Sequence, residues 1–408
     1  MFQSGYHELP IYVHIPFCTE KCAYCDFYSI PNSDSELQSF VVEQILAQLT
    51  SLLATLKPLS IPSVYIGGGT PNSIHPELFQ RLVTGIARII QAYSLPQDFE
   101  WTVELNPELI TAEQLEFLTE SPVNRLSVGT QSFSARSLRV IGRNAGLNET
   151  VSGVELLSSY WPQRWSLDLI TGLPDQSRRE AEHDLESALS YAPGHISLYT
   201  LTVEAGTPLE EQLKADVIRE RASDEVAEIL IQLWSILKDR GYRHYEISNL
   251  ALPEEIGRHN WYYWRLNPYL GVGPAAVSTL QSSSGLPVRA TTPASISRFT
   301  GSSSPETLLQ TELLSPEQFL LEYIMMGLRT IPGIEVERFL DIFGYDIREI
   351  LPHTLENHMK AGRLRLHTED GSQYVSITEA GMLLLDTLLV QAAGEIEHLR
   401  PQLNWPPP

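Results

Sequence analysis

No cysteine lies outside the stretch from Cys18 to Cys25, which holds all three thiols of the chain. A disulfide framework is a poor reading, because pairing leaves one thiol over and nothing in the sequence points to export. Positive charge is also scarce. Lys and Arg number 28 against 50 Asp and Glu, a formal net charge of −22, which argues against nucleic acid as a partner and against loose binding to an anionic membrane surface. No apolar run reaches the length of a membrane span. The first ten residues lack the basic start and apolar core of a secretory leader. The cytosol is the expected compartment, and it suits reduced thiols. The length of 408 residues allows two domains, or one large barrel with an appendage.

What is present is Cys18, Cys22 and Cys25 in a C-x3-C-x2-C spacing. Three thiolates so spaced on one loop can hold three irons of a cubane cluster, which leaves the fourth without a protein ligand. An open iron is what an inner-sphere redox reaction needs, as an open position serves a catalytic zinc. The alternative is a zinc site completed by His14, although structural zinc sites usually draw on two separated ligand pairs.

Apolar, β-branched runs recur at Ile11–Ile15, Ser63–Ile66, Glu100–Leu105, Arg125–Val128, Trp165–Ile170 and His195–Leu201, with amphipathic segments such as Glu36–Leu56, Pro76–Tyr93 and Ala112–Leu118 between them. This alternation predicts an α/β fold with a parallel sheet and outer helices. Six repeats are too few for a closed eightfold barrel, and strand count alone also allows an open doubly wound sheet. In barrels the chemistry sits at the C-terminal strand ends. The unusual residues fall there: the cysteine loop, Gly67-Gly68-Gly69-Thr70-Pro71, Glu104-Leu105-Asn106-Pro107, Gly129-Thr130-Gln131 and Asp168-Leu169-Ile170. Glu104 suits an ammonium or ribose hydroxyls, Gln131 offers a donor and an acceptor, Arg143 can hold a carboxylate in its planar fork, and Asp168 can accept from a ribose. Taken singly, each carboxylate or cation is also read as a surface charge or cap, and the glycine run as a tight turn.

With Tyr12-Val13-His14-Ile15-Pro16-Phe17-Cys18 followed by Cys22, Cys25, Asp26 and Phe27, the sequence resembles the radical S-adenosylmethionine (SAM) superfamily. More closely, it is similar to the oxygen-independent coproporphyrinogen oxidase and HemW group. The resemblance implies a partial (β/α)6 barrel, a [4Fe-4S] cluster on the three cysteines, and SAM chelated by the open iron. It also implies reduction by a donor such as flavodoxin or ferredoxin. It carries Tyr12, Phe27, Gly68, Gly69, Thr70, Glu104, Gln131, Arg143 and Asp168 over as cofactor-binding residues.

From Pro208 the pattern turns helical, with apolar spacing through Val226, Ile229, Leu230, Leu233 and Leu237 and a stop at Gly241. Tyr242–Asn249 reads as one further strand. His259-Asn260-Trp261-Tyr262-Tyr263-Trp264 puts four aromatics after a His-Asn pair. An aromatic core strand with a hydrogen-bonded histidine is the plain reading. The segment also resembles the HNxxYW signature of the HemW branch, which implies a haem-binding role for His259. Relatives often carry a histidine where this chain has Val277. Residues 281–305 are rich in Ser, Thr, Pro and Gly and read as a loop or boundary. Residues 315–385 resemble a small winged-helix-type, HemN-type C-terminal domain. Over 310–380, six Lys/Arg (Arg329, Arg338, Arg348, Lys360, Arg363, Arg365) stand against twelve Asp/Glu. A lid or packing domain over the open side of the barrel is therefore expected rather than a DNA binder. The division expected is a barrel core over 1–205, an extension with the haem-motif strand over 206–305, the C-terminal domain over 306–390, and a disordered tail over 391–408.

Two departures separate the chain from the oxidases it resembles: Phe27 stands where they carry a fourth cysteine, and only about ten residues precede the motif. The resemblance therefore implies a haem chaperone that delivers haem to apo-haem proteins, with a homodimer as one possible assembly. A coproporphyrinogen III oxidase of porphyrin biosynthesis is the alternative, and a radical SAM enzyme on another substrate, such as a methyltransferase, is the third reading.

Overall fold

The computed structural model describes residues 2–143, 145–283 and 285–399. Six parallel strands follow the expected order: β1 Ile11–Ile15, β2 Ser63–Gly68, β3 Glu100–Leu105, β4 Arg125–Gln131, β5 Arg164–Thr171 and β6 His195–Thr200. Each strand alternates. Val64, Ile66, Val103, Leu126, Val128, Leu167, Ile196 and Leu198 face the outer helices and are fully or nearly fully buried. The opposite face is polar or aromatic: Tyr65, Thr102, Ser127, Ser166, Ser197 and Tyr199 line the barrel interior. The period of two thus separates a hydrophobic shell from a polar lumen.

The sheet does not stop at β6. Two short antiparallel strands, β7 Arg243–His244 and β8 Asn249–Ala251, extend one edge, and β9 Leu270–Val272 joins β1 in parallel at the other. The expected barrel of residues 1–205 is therefore completed by chain assigned to an extension. Tyr242–Asn249 is a hairpin, not one strand. Its turn is bonded elsewhere: Ile247 N–H donates to the Arg329 carbonyl (2.8 Å) and Ile331 N–H to that of Tyr245 (3.0 Å). Tertiary partners satisfy the backbone that a longer strand would have paired.

The helix Ser35–Leu56 is long and apolar enough, by length and composition, to cross a membrane, which the reading of the sequence did not expect. Here Val41, Val42, Ile45, Leu49, Leu52, Leu53 and Leu56 are buried in the core. Asp34 caps its start, accepting from the N–H groups of Glu36 and Leu37.

Residues 281–305 are not a plain loop. Strands β10 Val277–Gln281, β11 Pro287–Thr291 and β12 Gln310–Leu313 form an antiparallel sheet. A short helix, Ile296–Thr300, buries Ile296 and Phe299. The polar composition conceals these few alternating apolar anchors.

The C-terminal domain combines helices Pro316–Gly327, Val336–Phe343 and Pro352–Lys360 with a wing made of β13 Ile334–Glu335, β14 Leu364–Glu369 and β15 Ser372–Ile377. Phe319, Tyr323, Phe339 and Phe343 pack edge to face or tilted at its centre. The segment expected as a disordered tail from 391 is helical from Leu385 through Leu399. Leu388, Ala392 and Ile396 bury one face, and Glu395 caps the neighbouring helix by accepting from the N–H groups of His353 and Thr354 (2.8 and 2.9 Å). Residues 400–408 lie outside the described residues.

Candidate functional site at the C-terminal strand ends

The cysteine loop closes on itself. Phe17–Cys18 pairs with Ile30–Pro31, Cys25 N–H donates to the Cys22 carbonyl (3.2 Å), and Ala23 N–H to that of Ile141 (2.9 Å). All three thiols are free, with Cys18 buried and Cys22 and Cys25 half-buried. Thr70 Oγ1 donates to Cys18 Sγ (3.5 Å). Gly69 has no room for a side chain: an added Cβ would overlap the Phe17 carbonyl and lie 3.0 Å from Cys18 Sγ. Gly68 adopts φ +112° and sits under the His14 ring, a conformation natural only to glycine.

Beside the loop, the strand ends bring the expected polar groups together. Glu104 Oε1 accepts from Tyr65 OH (2.6 Å) and Oε2 from Gly68 N–H (3.2 Å). Ser127 Oγ lies 3.3 Å from both oxygens of Asp168. Burial pushes Glu104 up to about 7, against the Tyr65 hydrogen bond and with the repulsion of Asp168. Burial likewise raises Asp168 to about 6, with Ser197, Ser127 and Arg143 opposing. Two buried carboxylates of raised pKa on neighbouring strand ends are the pattern of a candidate functional site. Arg143, almost fully buried, pairs with Glu108 at 3.3 Å, and Asn106 donates to the same carboxylate at 3.2 Å. Gln131 takes φ +69° at a bulge in the β4–β5 register, and its amide, Arg143 and Asn106 all converge on Gly129. A left-handed non-glycine residue at a bulge is stored strain, which collects at functional sites. Tyr12 OH lies 3.0 Å from His14 Nδ1. Phe27 departs from the group: its ring is 69% exposed, and only its backbone bonds to the Cys25 thiol.

Tyr65, Ser127 and Glu108 were not singled out in the sequence. The period of two from Ser63 and from Arg125 would have found the first two on the inner face.

Residues 12–188 match the family described as the radical SAM superfamily, and residues 314–384 the HemN C-terminal domain. The chain is 31% identical over 388 residues to the heme chaperone HemW of Escherichia coli K12, covering 93% of this chain and 97% of that one. The chain belongs to the HemW family. It is also 29% identical over 390 residues to the bovine mitochondrial radical S-adenosyl methionine domain-containing protein 1, covering 94% and 83% of the two chains. Among solved structures, the Escherichia coli coproporphyrinogen III oxidase HemN superposes with a TM-score of 0.77 over 95% of this chain and 90% of that one. At 18% identity this likeness shows the fold, a partial radical SAM barrel with its C-terminal domain.

Membership in this family of radical SAM proteins implies a [4Fe-4S] cluster and SAM, and the donor set fits. Burial pushes the Cys22 thiol up to about 11, Arg143 pulls it down, and the Cys25 and Cys18 thiols push it up. Thiols that hinder one another's ionisation are the ligands that a cationic cluster stabilises as thiolates. Among the described residues no three His, Cys, Asp or Glu side chains close on a single ion. His14 is engaged through both nitrogens, with Nε2 2.8 Å from the Tyr28 carbonyl. With both nitrogens so bonded, His14 is not free to complete a zinc site.

His259 lies elsewhere. The segment His259–Trp264 is a short helix, not a strand, because Glu100 at the start of β3 accepts from the N–H groups of Arg258 and His259 (both 2.9 Å) and caps it. His259 Nδ1 meets Ser63 Oγ at 2.8 Å and Nε2 meets Tyr263 OH at 2.6 Å. Ser63 and Glu100 begin their strands, so this histidine sits at the N-terminal end of the barrel, the end given to stability. It is 1% exposed, and burial pushes its pKa down to about 3. In this conformation neither nitrogen is open to iron. His259→Ala is expected to leave haem affinity unchanged and to lower unfolding free energy by about 2–4 kcal/mol, through a cavity and two stranded hydroxyls. Parallel haem titration and urea unfolding check both parts, and lost haem binding in a stably folded variant would restore the ligand role.

Proposed function

We propose that this protein is a cytoplasmic haem chaperone that holds a [4Fe-4S] cluster on Cys18, Cys22 and Cys25, binds SAM beside it, and passes haem to apo-haem proteins. The observation that carries the reading is the similarity to the heme chaperone HemW over 93% of this chain, spanning both domains. The cleft at the strand ends, lined by Cys22, Asn106, Glu108 and Arg143, holds about 360 Å³.

The cluster and SAM, when bound, supply one-electron cleavage of the sulfonium, with the electron drawn from a donor such as flavodoxin or ferredoxin. This chain's residues do the binding. Glu104 and the backbone carbonyls of Gly67–Gly69 would accept from the amine N–H groups of SAM, Arg143 would share its fork between Glu108 and the SAM carboxylate, and Asp168 and Gln131 would meet the ribose. SAM keeps the positive charge of its sulfonium and donates from its amine and ribose hydroxyls, so it binds best when Glu104 and Asp168 are ionised. Their raised values, about 7 and about 6, mean that affinity falls as pH drops through that window. Between pH 8 and pH 6, SAM affinity of the reconstituted protein should weaken about tenfold by calorimetry, and Glu104→Gln should flatten most of that slope. A flat wild-type profile would remove Glu104 from the site.

The function is tested anaerobically by incubating the reconstituted protein with haem, and separately with coproporphyrinogen III, SAM and a reductant. Stable haem binding without protoporphyrinogen supports the chaperone. Turnover to protoporphyrinogen overturns it in favour of the oxidase.

A further inference from the structure

Arg243 and Arg365 face one cleft, with no carboxylate partner among the described residues. Arg243 belongs to β7 at the barrel edge and Arg365 to β14 in the wing, and both side chains are exposed. Between them lies a cavity of about 830 Å³, walled by Lys238, Arg243, His244 and Arg365 over a floor that includes Pro253, Ile331 and Ala380. It exceeds the cleft at the strand ends and is within the range of small-molecule and cofactor sites. Its only acidic lining residue is Glu379, already paired with Lys238. Among the described residues neither arginine has an ion-pair partner. In a chain of net charge −22, an unneutralised arginine pair over an apolar floor is a local inversion of the surface field. The backbone bonds between residues 245–247 and 329–331 hold the two walls in fixed relation. His244, on the same wall, packs its ring 5.0 Å from that of Trp234. Its Nδ1 has no hydrogen-bond partner, and its Nε2 meets the Ile247 carbonyl only at 3.3 Å.

We propose that this cleft between the barrel edge and the wing binds an amphipathic dianion, with its two carboxylates on Arg243 and Arg365 and its apolar body against Pro253, Ile331 and Ala380. The inference rests on the chaperone reading, which makes that ligand haem with its two propionates. Arginine forks are suited to carboxylates in a bidentate, charge-assisted geometry, and the volume of about 830 Å³ leaves room for a macrocycle. The sealed His259 offers no such room.

The test is a visible-absorption titration of the cluster-loaded protein with haem and with its dimethyl ester, whose carboxylates are blocked. The wild type is expected to bind haem at least tenfold more tightly than the ester. The charge reversal R243E/R365E should weaken haem binding tenfold or more, to the level of the ester, with cluster absorption intact because both residues are exposed. R243K/R365K keeps the charge but loses the bidentate fork, so it should bind haem more weakly than the wild type and more tightly than R243E/R365E. Haem binding by R243E/R365E within twofold of the wild type overturns the cleft while the chaperone reading stands. A wild type that binds no haem overturns the chaperone reading and, with it, this inference.

Discussion

Cys22→Ser is expected to abolish the visible absorption of the anaerobically reconstituted protein. The serine hydroxyl remains protonated at neutral pH and is a poor iron ligand, so the loop keeps two thiolates where the cubane needs three. The effect is all-or-none because no other cysteine exists in the chain to substitute. The loop backbone, tied through Ala23 to Ile141 and through residues 17–18 to 30–31, carries no bond from the Cys22 side chain, so the apo fold should survive. Far-ultraviolet circular dichroism is the control. Retained absorption in the variant would return the loop to another chemistry.

Arg125→Ala is expected to cost about 3–5 kcal/mol of unfolding free energy. Arg125 Nε lies 3.0 Å from Glu100 Oε2, and the two side chains are only 4% and 1% exposed. Arg125 also donates to the carbonyls of Glu255 and Ile256 (2.9 and 3.2 Å). Its removal leaves a buried carboxylate uncompensated and two carbonyls without donors. Glu100 is also the group that caps Arg258 and His259, so the aromatic helix should loosen first, and Trp261 or Trp264 fluorescence should change before global unfolding. The double variant E100Q/R125M should recover much of the loss, because replacing a whole buried pair is far cheaper than breaking it. A loss under about 1 kcal/mol in the single variant would mean that water reaches the pair.

The strand ends were readable because a barrel rule converts position along a strand into position in the site. Glu104, Gln131 and Asp168 could therefore be placed together from three separate segments. Tyr65, equally central through its bond to Glu104, drew no notice because a tyrosine in a strand is ordinary. The aromatic segment at 259–264 takes a form in the structure that its composition does not suggest. Its residue types suit a flat ligand, but its helical form and sealed histidine follow from Glu100, Ser63 and Tyr263. The first two are more than 150 positions away in the chain. The C-terminal helix was hidden by the Pro-rich end that follows it, although Leu388, Ala392 and Ile396 already carried the spacing.

The sequence by itself determined the three-thiol loop, the alternating β/α order and the list of polar strand-end residues. These depend on local spacing and on a period of two, which neighbours in the chain define. Only the tertiary structure decided that residues 243–251 turn back as a hairpin, that His259 is a bonded residue at the far end of the barrel, and that Arg243 and Arg365 share a cleft. Each of those outcomes depends on a hydrogen-bond or charge partner supplied by a distant segment, and no local pattern records such a partner.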